Sequence, residues 1–148
     1  MTQEEKDILI KDLCVRLPYG VKVRAKYTDI KETIEIDGIV KMIDDDGVVG
    51  IEVIYGISLA WTYVQIDNIK PYLFPLSSMT EEQEKEWDEV FIEPLSQRLN
   101  RRHTRQEDLQ LQANAQVFGV EYLLKNHFDI HGLIPMGLAN DATGLNIY

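Results

Sequence analysis

Cysteine occurs once in the 148 residues, at Cys14, and histidine three times. A lone cysteine closes no internal disulfide, and without a Cys pair there is no Cys-based zinc module, which agrees with a reducing compartment. Long apolar runs are missing too: nothing approaches the roughly eighteen residues that cross a bilayer as a helix. Met1 to Asp12 carries Glu4, Glu5, Lys6, Asp7 and Lys11, with no apolar stretch beyond Ile8 to Ile10, so nothing there reads as a signal peptide. The expected location is the cytoplasm, with no membrane association. Basic residues are scarce, 15 Lys and Arg against 25 Asp and Glu. A net charge of −10 opposes broad binding to nucleic acid or anionic lipid, because the average surface repels both.

What is present suits a compact domain. The chain is 45% hydrophobic and 27% charged, far from disordered compositions. Its acidity is local: residues 31–77 balance at −5 and 78–94 at −6, while 95–110 balance at +2. The label acidic therefore conceals one basic patch.

Thr2 and Glu5 have capping-box spacing, which predicts a helix from Gln3 to Cys14 with Ile8, Leu9, Leu13 and Cys14 on its apolar side, stopped by Pro18 and Gly20. From Val21 the period changes to two. Val21, Val23, Ala25 and Tyr27 alternate with Lys22, Arg24 and Lys26; a second strand runs from Ile34 to Ile43, and Asp44-Asp45-Asp46-Gly47 signals a hairpin into Val48 to Ile54. A shorter strand, Ala60 to Ile66, follows, with Trp61, Tyr63 and Gln65 on one face. Strands this close together leave no room for crossover helices, so the sheet is expected to be antiparallel, of four or five strands, curling into an SH3-like barrel. Pro71 and Pro75 read as a connector. Thr80 and Gln83 cap a helix reaching about Phe91, with Pro94 as a kink or a new start, and Thr104 and Glu107 cap another that ends near Asn126. Its apolar positions are Leu109, Leu111, Ala115, Phe118, Leu123 and Leu124. Residues 127–148 read as a loop with one helical turn at Leu133 to Leu138. The expected class is α+β: an N-terminal helix and small β-domain over residues 1–75, with a helical region, 76–148, packed on it as one compact unit.

Two stretches, Asp67-Asn68-Ile69-Lys70-Pro71-Tyr72-Leu73-Phe74-Pro75-Leu76-Ser77-Ser78-Met79-Thr80-Glu81-Glu82 and His127-Phe128-Asp129-Ile130-His131-Gly132-Leu133-Ile134-Pro135-Met136-Gly137-Leu138-Ala139, resemble an uncharacterised family of small proteins from gut bacteria and their phages or mobile elements. Such proteins typically have Arg where this chain has Phe74, a second His at Asn126, and Tyr-Arg at Ile130-His131. The resemblance implies a genomic setting and no assigned activity.

Few clusters could carry chemistry. His127, Asp129 and His131 have the residue types of a zinc or iron site, but Asn-His-Phe-Asp after a helix reads better as a helix end, so no metal or other cofactor is expected. Cys14 lacks a partner base and is expected to pack as a small hydrophobe. The acidic helix Glu81 to Glu93 reads as a solvated face rather than a DNA mimic, and Asp44 to Asp46 lack the ligand set of a calcium loop. Arg98, Arg101, Arg102, His103 and Arg105 form the basic cluster; with Trp61, Tyr63 and Tyr72 as stacking platforms they could grip phosphates. The preferred expectation is a non-catalytic accessory protein of a phage or mobile element, not an enzyme, that binds another protein. A nucleic-acid-associated protein using Arg98, Arg101, Arg102, Arg105, Trp61 and Tyr63 is the alternative.

Overall fold

The computed structural model describes residues 1–28, 32–55, 58–100 and 104–148, with side chains given outside 54–58, 92–100 and 108. Helix α1 spans Gln3–Arg16, opened by the capping box: Thr2 Oγ1 accepts from Glu5 N, and Glu5 Oε2 accepts from Thr2 N. It runs two residues beyond the expected end, into a 3-10 turn at Leu17–Tyr19 that Gly20 closes at φ +69°. Strands β1 (Lys22–Thr28), β2 (Thr33–Ile43), β3 (Val48–Tyr55) and β4 (Ser58–Gln65) follow as antiparallel neighbours. The β2–β3 hairpin is the expected one. Asp44 Oδ1 accepts from the N–H groups of Asp46 and Val48, and Gly47 takes the left-handed conformation at φ +74°.

The remaining elements are a 3-10 turn at Ile66–Asn68, β5 (Ile69–Leu73), a 3-10 turn at Leu76–Ser78, α2 (Glu81–Asn100), α3 (Arg105–Lys125) and β6 (Asn140–Asp141). Strand β5 pairs with β1, and β6 lies parallel on its far side, so the order is β4-β3-β2-β1-β5-β6. The architecture is α+β, but the sheet has six strands, is mixed, and is open. The expected barrel is thus corrected, and the reason lies in β5. The turn after β4 carries the chain to the far side of β1, and the second edge of β5 is taken by β6 and by a bridge from Phe74 to Phe128, not by β4. Pro71, read as connector, sits inside β5 opposite Val23; β6 meets only Tyr72 and Leu73, so β5 needs no outward donor at the proline.

Alternation places Val23, Ala25, Val40, Val49, Ile51, Val53 and Val64 on the inner face, where Leu9 and Leu13 of α1 cover them. Leu133, Leu138 and Ala139 join that core. Residues 127–148, expected as a loop, therefore supply core and a strand.

Helices α2 and α3 pack on each other. Trp87 and Phe91 stack with ring centroids 5.0 Å apart, and Gly119 faces them so closely that a Cβ there would stand 2.6 Å from Phe91 Cδ2. Helix α2 passes through Pro94 instead of ending at Phe91. Both remaining capping boxes form, at Thr80 with Gln83 and at Thr104 with Glu107.

Candidate functional site

Strand β4 is the outer edge of the antiparallel sheet. Its alternation sends Val64 inward, where it is buried, and Leu59, Trp61 and Tyr63 outward, at 64%, 52% and 57% exposure. The Tyr63 ring lies over Gly50, beside the side chain of Met42, and Trp61 stands opposite Glu52. Sequence patterning placed Trp61 and Tyr63 on one face, and they share it.

Across the same outer face, Arg24 and Lys26 of β1 are matched by acids of β2. Arg24 donates from Nε and Nη2 to the two oxygens of Asp37, both at 3.0 Å, and Lys26 lies 3.7 Å from Glu35. Tyr72 donates to Asp37 at 2.9 Å, and the Arg24 guanidinium stands 5.6 Å from the Tyr72 ring centroid. The Arg24 hydrogen bonds hold the Asp37 carboxyl below its usual range, and burial, reinforced by Asp37, pushes the Tyr72 hydroxyl up to about 12. Tyr72 is buried, so it is no stacking platform.

Helix α3 presents a second apolar surface. Leu109, Ala113, Val117 and Val120 recur at i, i+4, i+8 and i+11, which aligns them along one stripe, and all four are exposed. Val117, Val120 and Leu124 line a shallow groove with Tyr19. The side of α3 that packs on α2 uses Gly119 and Tyr122 instead; the Tyr122 hydroxyl donates to Glu86 Oε2 and to the Gln83 carbonyl. Of the apolar set expected for this helix, Ala115 and Leu124 are buried, whereas Leu109 and Phe118, at 59% and 52% exposure, lie outside its buried face.

A third cluster is buried beneath the C-terminal segment. Helix α1 buries Leu9, Asp12, Leu13 and Arg16, a stripe at i, i+3, i+4 and i+7. Arg16 donates to both Asp12 oxygens, at 2.7 and 3.0 Å, and to the Phe128 carbonyl at 2.7 Å, and His131 Nδ1 lies 2.8 Å from Asp12 Oδ1. Cys14 falls off that stripe and is exposed, not packed as expected. Sequence patterning did not point to Asp12 and Arg16; the available signal was their i, i+4 spacing inside the Leu9 and Leu13 stripe.

The three candidate metal ligands diverge. Asp129 accepts from the N–H groups of Leu133 and Ile134, both at 2.8 Å, while His131 turns to Asp12. His127 follows the last turn of α3 at φ +58°, with His127 N donating to Leu124 O and Phe128 N to Leu123 O. This is the Schellman arrangement, with His127 in the position usually held by glycine. Its ring stacks on Tyr148, centroids 3.9 Å apart and 14° from parallel. Burial, then the positive charges of Arg16 and Lys22, lower its pKa from 6.5 to about 4. Tyr148 is tied down in turn: its hydroxyl accepts from Lys22 N and donates to the Tyr72 carbonyl, and Lys22 Nζ donates to the Ile147 carbonyl. Among the described residues, no group of three or more His, Cys, Asp and Glu is arranged to hold a metal, and no hydroxyl or thiol hydrogen-bonds His131. The His131–Asp12 pair therefore orients an imidazole with no nucleophile set against it among those residues.

Of the basic cluster, Arg105 is the first residue of α3 and is exposed. Arg98 lies in α2 with its side chain outside the described residues, as are Arg101, Arg102 and His103 entirely. Trp61 and Tyr63 belong to β4, which packs on β3, whereas Arg105 belongs to the helical hairpin. No family model, curated protein or solved structure matches the chain.

Proposed function

We propose that the chain is a non-catalytic accessory protein that works by binding another protein, in the phage or mobile-element setting that the resemblance implies. The observation that supports this most is the α3 stripe. An amphipathic helix in a folded domain normally turns its apolar stripe inward; here α3 packs on α2 with another side and leaves Leu109, Ala113, Val117 and Val120 in water. A stripe of this spacing fits an apolar helix or ridge laid along it, with Tyr19 closing one side of the groove.

The test is recovery of the tagged protein from its native host, compared with Val117→Lys plus Val120→Lys. The expected result is a stoichiometric protein partner lost in the double variant, with unchanged far-UV circular dichroism, since both positions are exposed. A partner retained by the variant, or no protein partner, defeats the reading. A low-salt electrophoretic shift abolished by Arg101→Ala plus Arg102→Ala would instead favour the nucleic-acid-associated alternative.

A further inference from the structure

The edge of β4 carries an inference independent of the α3 stripe. Strand β4 pairs on one side with β3, over Ser58–Gln65, and among the described residues makes no ladder on its other side. An extended strand with one free edge offers alternate N–H and C=O groups that only another extended backbone satisfies in register. Folded proteins usually blunt such an edge with lysine, other charges or proline. This edge has none of these: residues 53–66 are the longest stretch of the sequence without Asp, Glu, Lys or Arg, 14 residues, and contain no proline. In a chain of net charge −10, β4 is the strand along which two molecules can approach without opposing like charges.

The strand also complements itself. In an antiparallel pair related by a two-fold axis, outer faces stay together only when the numbers of paired residues sum to an even value. The two such registers nearest the centre of β4 set Trp61 against its own copy with Leu59 against Tyr63, or Trp61 against Tyr63 with Thr62 against its own copy. Either one extends the exposed row of Leu59, Trp61 and Tyr63 into a continuous apolar and aromatic ladder across both molecules, the kind of cross-strand pair that stabilises a sheet. The acidic turn Asp44–Asp46 lies beyond the Gln65 end of β4, next to Ile66, whose N–H donates to the Gly47 carbonyl. The two-fold axis sends the two acidic turns to opposite ends of the interface. We infer that a second copy of this chain covers the β4 edge, joining two sheets into one through β4–β4 pairing.

The solution mass measured by light scattering or sedimentation tests this. The expected result is a concentration-dependent species of twice the 17.1 kDa chain mass, lost in Trp61→Lys plus Tyr63→Lys and kept in Val117→Lys plus Val120→Lys. Thermal unfolding of each variant, run in parallel, establishes that it is folded. On a Cys14→Ser background, one of the two variants Trp61→Cys and Thr62→Cys is expected to form an intermolecular disulfide, because directly opposed strand residues stand within disulfide reach. A wild-type monomer at every concentration, a dimer that survives the β4 lysines, or a failure of both cysteines to cross-link would overturn the inference.

Discussion

At the residue scale the chain spends stability in two neighbouring places, Asp12–Arg16 and His127. Arg16 is wholly buried and held by Asp12 and the Phe128 carbonyl, which fixes the end of α1 to the turn after α3. Removing one partner leaves a buried charge uncompensated. Asp12→Ala is expected to cost about 3–5 kcal/mol in urea unfolding, and Asp12→Leu with Arg16→Met to recover most of it, because an apolar pair of similar volume needs no desolvation. His127 occupies a glycine position at φ +58°, so its side chain must compensate through the Tyr148 stack. With its pKa lowered from 6.5 to about 4, the folded protein keeps His127 neutral where the unfolded chain takes up a proton. The stabilisation is complete above about pH 6.5 and is lost progressively as pH falls to about 4, up to about 3 kcal/mol. Melting curves across this window should show His127→Asn, which accepts the same backbone and does not titrate, with a shallower fall. An equal fall in both proteins would remove His127 as the cause.

At the element scale, capping, turns and alternation act locally and were legible. Thr2, Thr80 and Thr104 each start a helix where their spacing predicts, and Val21 to Ala25, Asp44 to Gly47 and Trp61 to Val64 fold as their patterns require. The elements that could not be read are those whose stability comes from elsewhere. Strand β5 carries two apparent breakers, Pro71 within it and Pro75 just after, and exists because β1 offers it an edge. Strand β6 is two residues long and is held by Tyr72 and Leu73. On α3 the expected Ala115 and Leu124 are buried, but Leu109 and Phe118 are not, because the helix meets its partner α2 through a glycine, which an apolar period does not mark. Gly119→Ala tests that contact. The added methyl would meet Phe91 Cδ2 at 2.6 Å and Trp87 Cη2 at 3.1 Å, so the helical gain of alanine should be outweighed and unfolding should come about 1–3 kcal/mol earlier. Amide exchange should rise along α3 more than in β1 to β3.

At the scale of the whole molecule, the surface divides by charge and by apolar exposure. Acids crowd the sequence from 31 to 94, Arg24 and Lys26 of β1 are answered by Asp37 and Glu35, and β4 and the α3 stripe expose apolar side chains and carry no charge of their own. If β4 pairs with a second copy, the association should tighten as salt rises, because screening weakens repulsion between two chains of net charge −10 while no ion pair is lost at the strand. Weakening by salt would point to an ionic contact elsewhere. Of the candidate site residues, the exposure of Trp61 and Tyr63 was legible because strand alternation is a local rule. The burial of Asp12, Arg16 and His127 was not, since it depends on the C-terminal segment folding back over α1, more than a hundred positions away, and over β5. The sequence by itself determined the α+β class, the helix starts, the hairpin and the faces of β1 and β4, all of which follow from periods and turns a few residues long. The tertiary structure alone decided that the sheet stays open, that residues 127–148 complete the core, and that β4 and α3 keep their apolar surfaces. Those outcomes turn on which distant segment pairs with an edge or packs on a face, and a pattern of neighbours along the chain does not encode that.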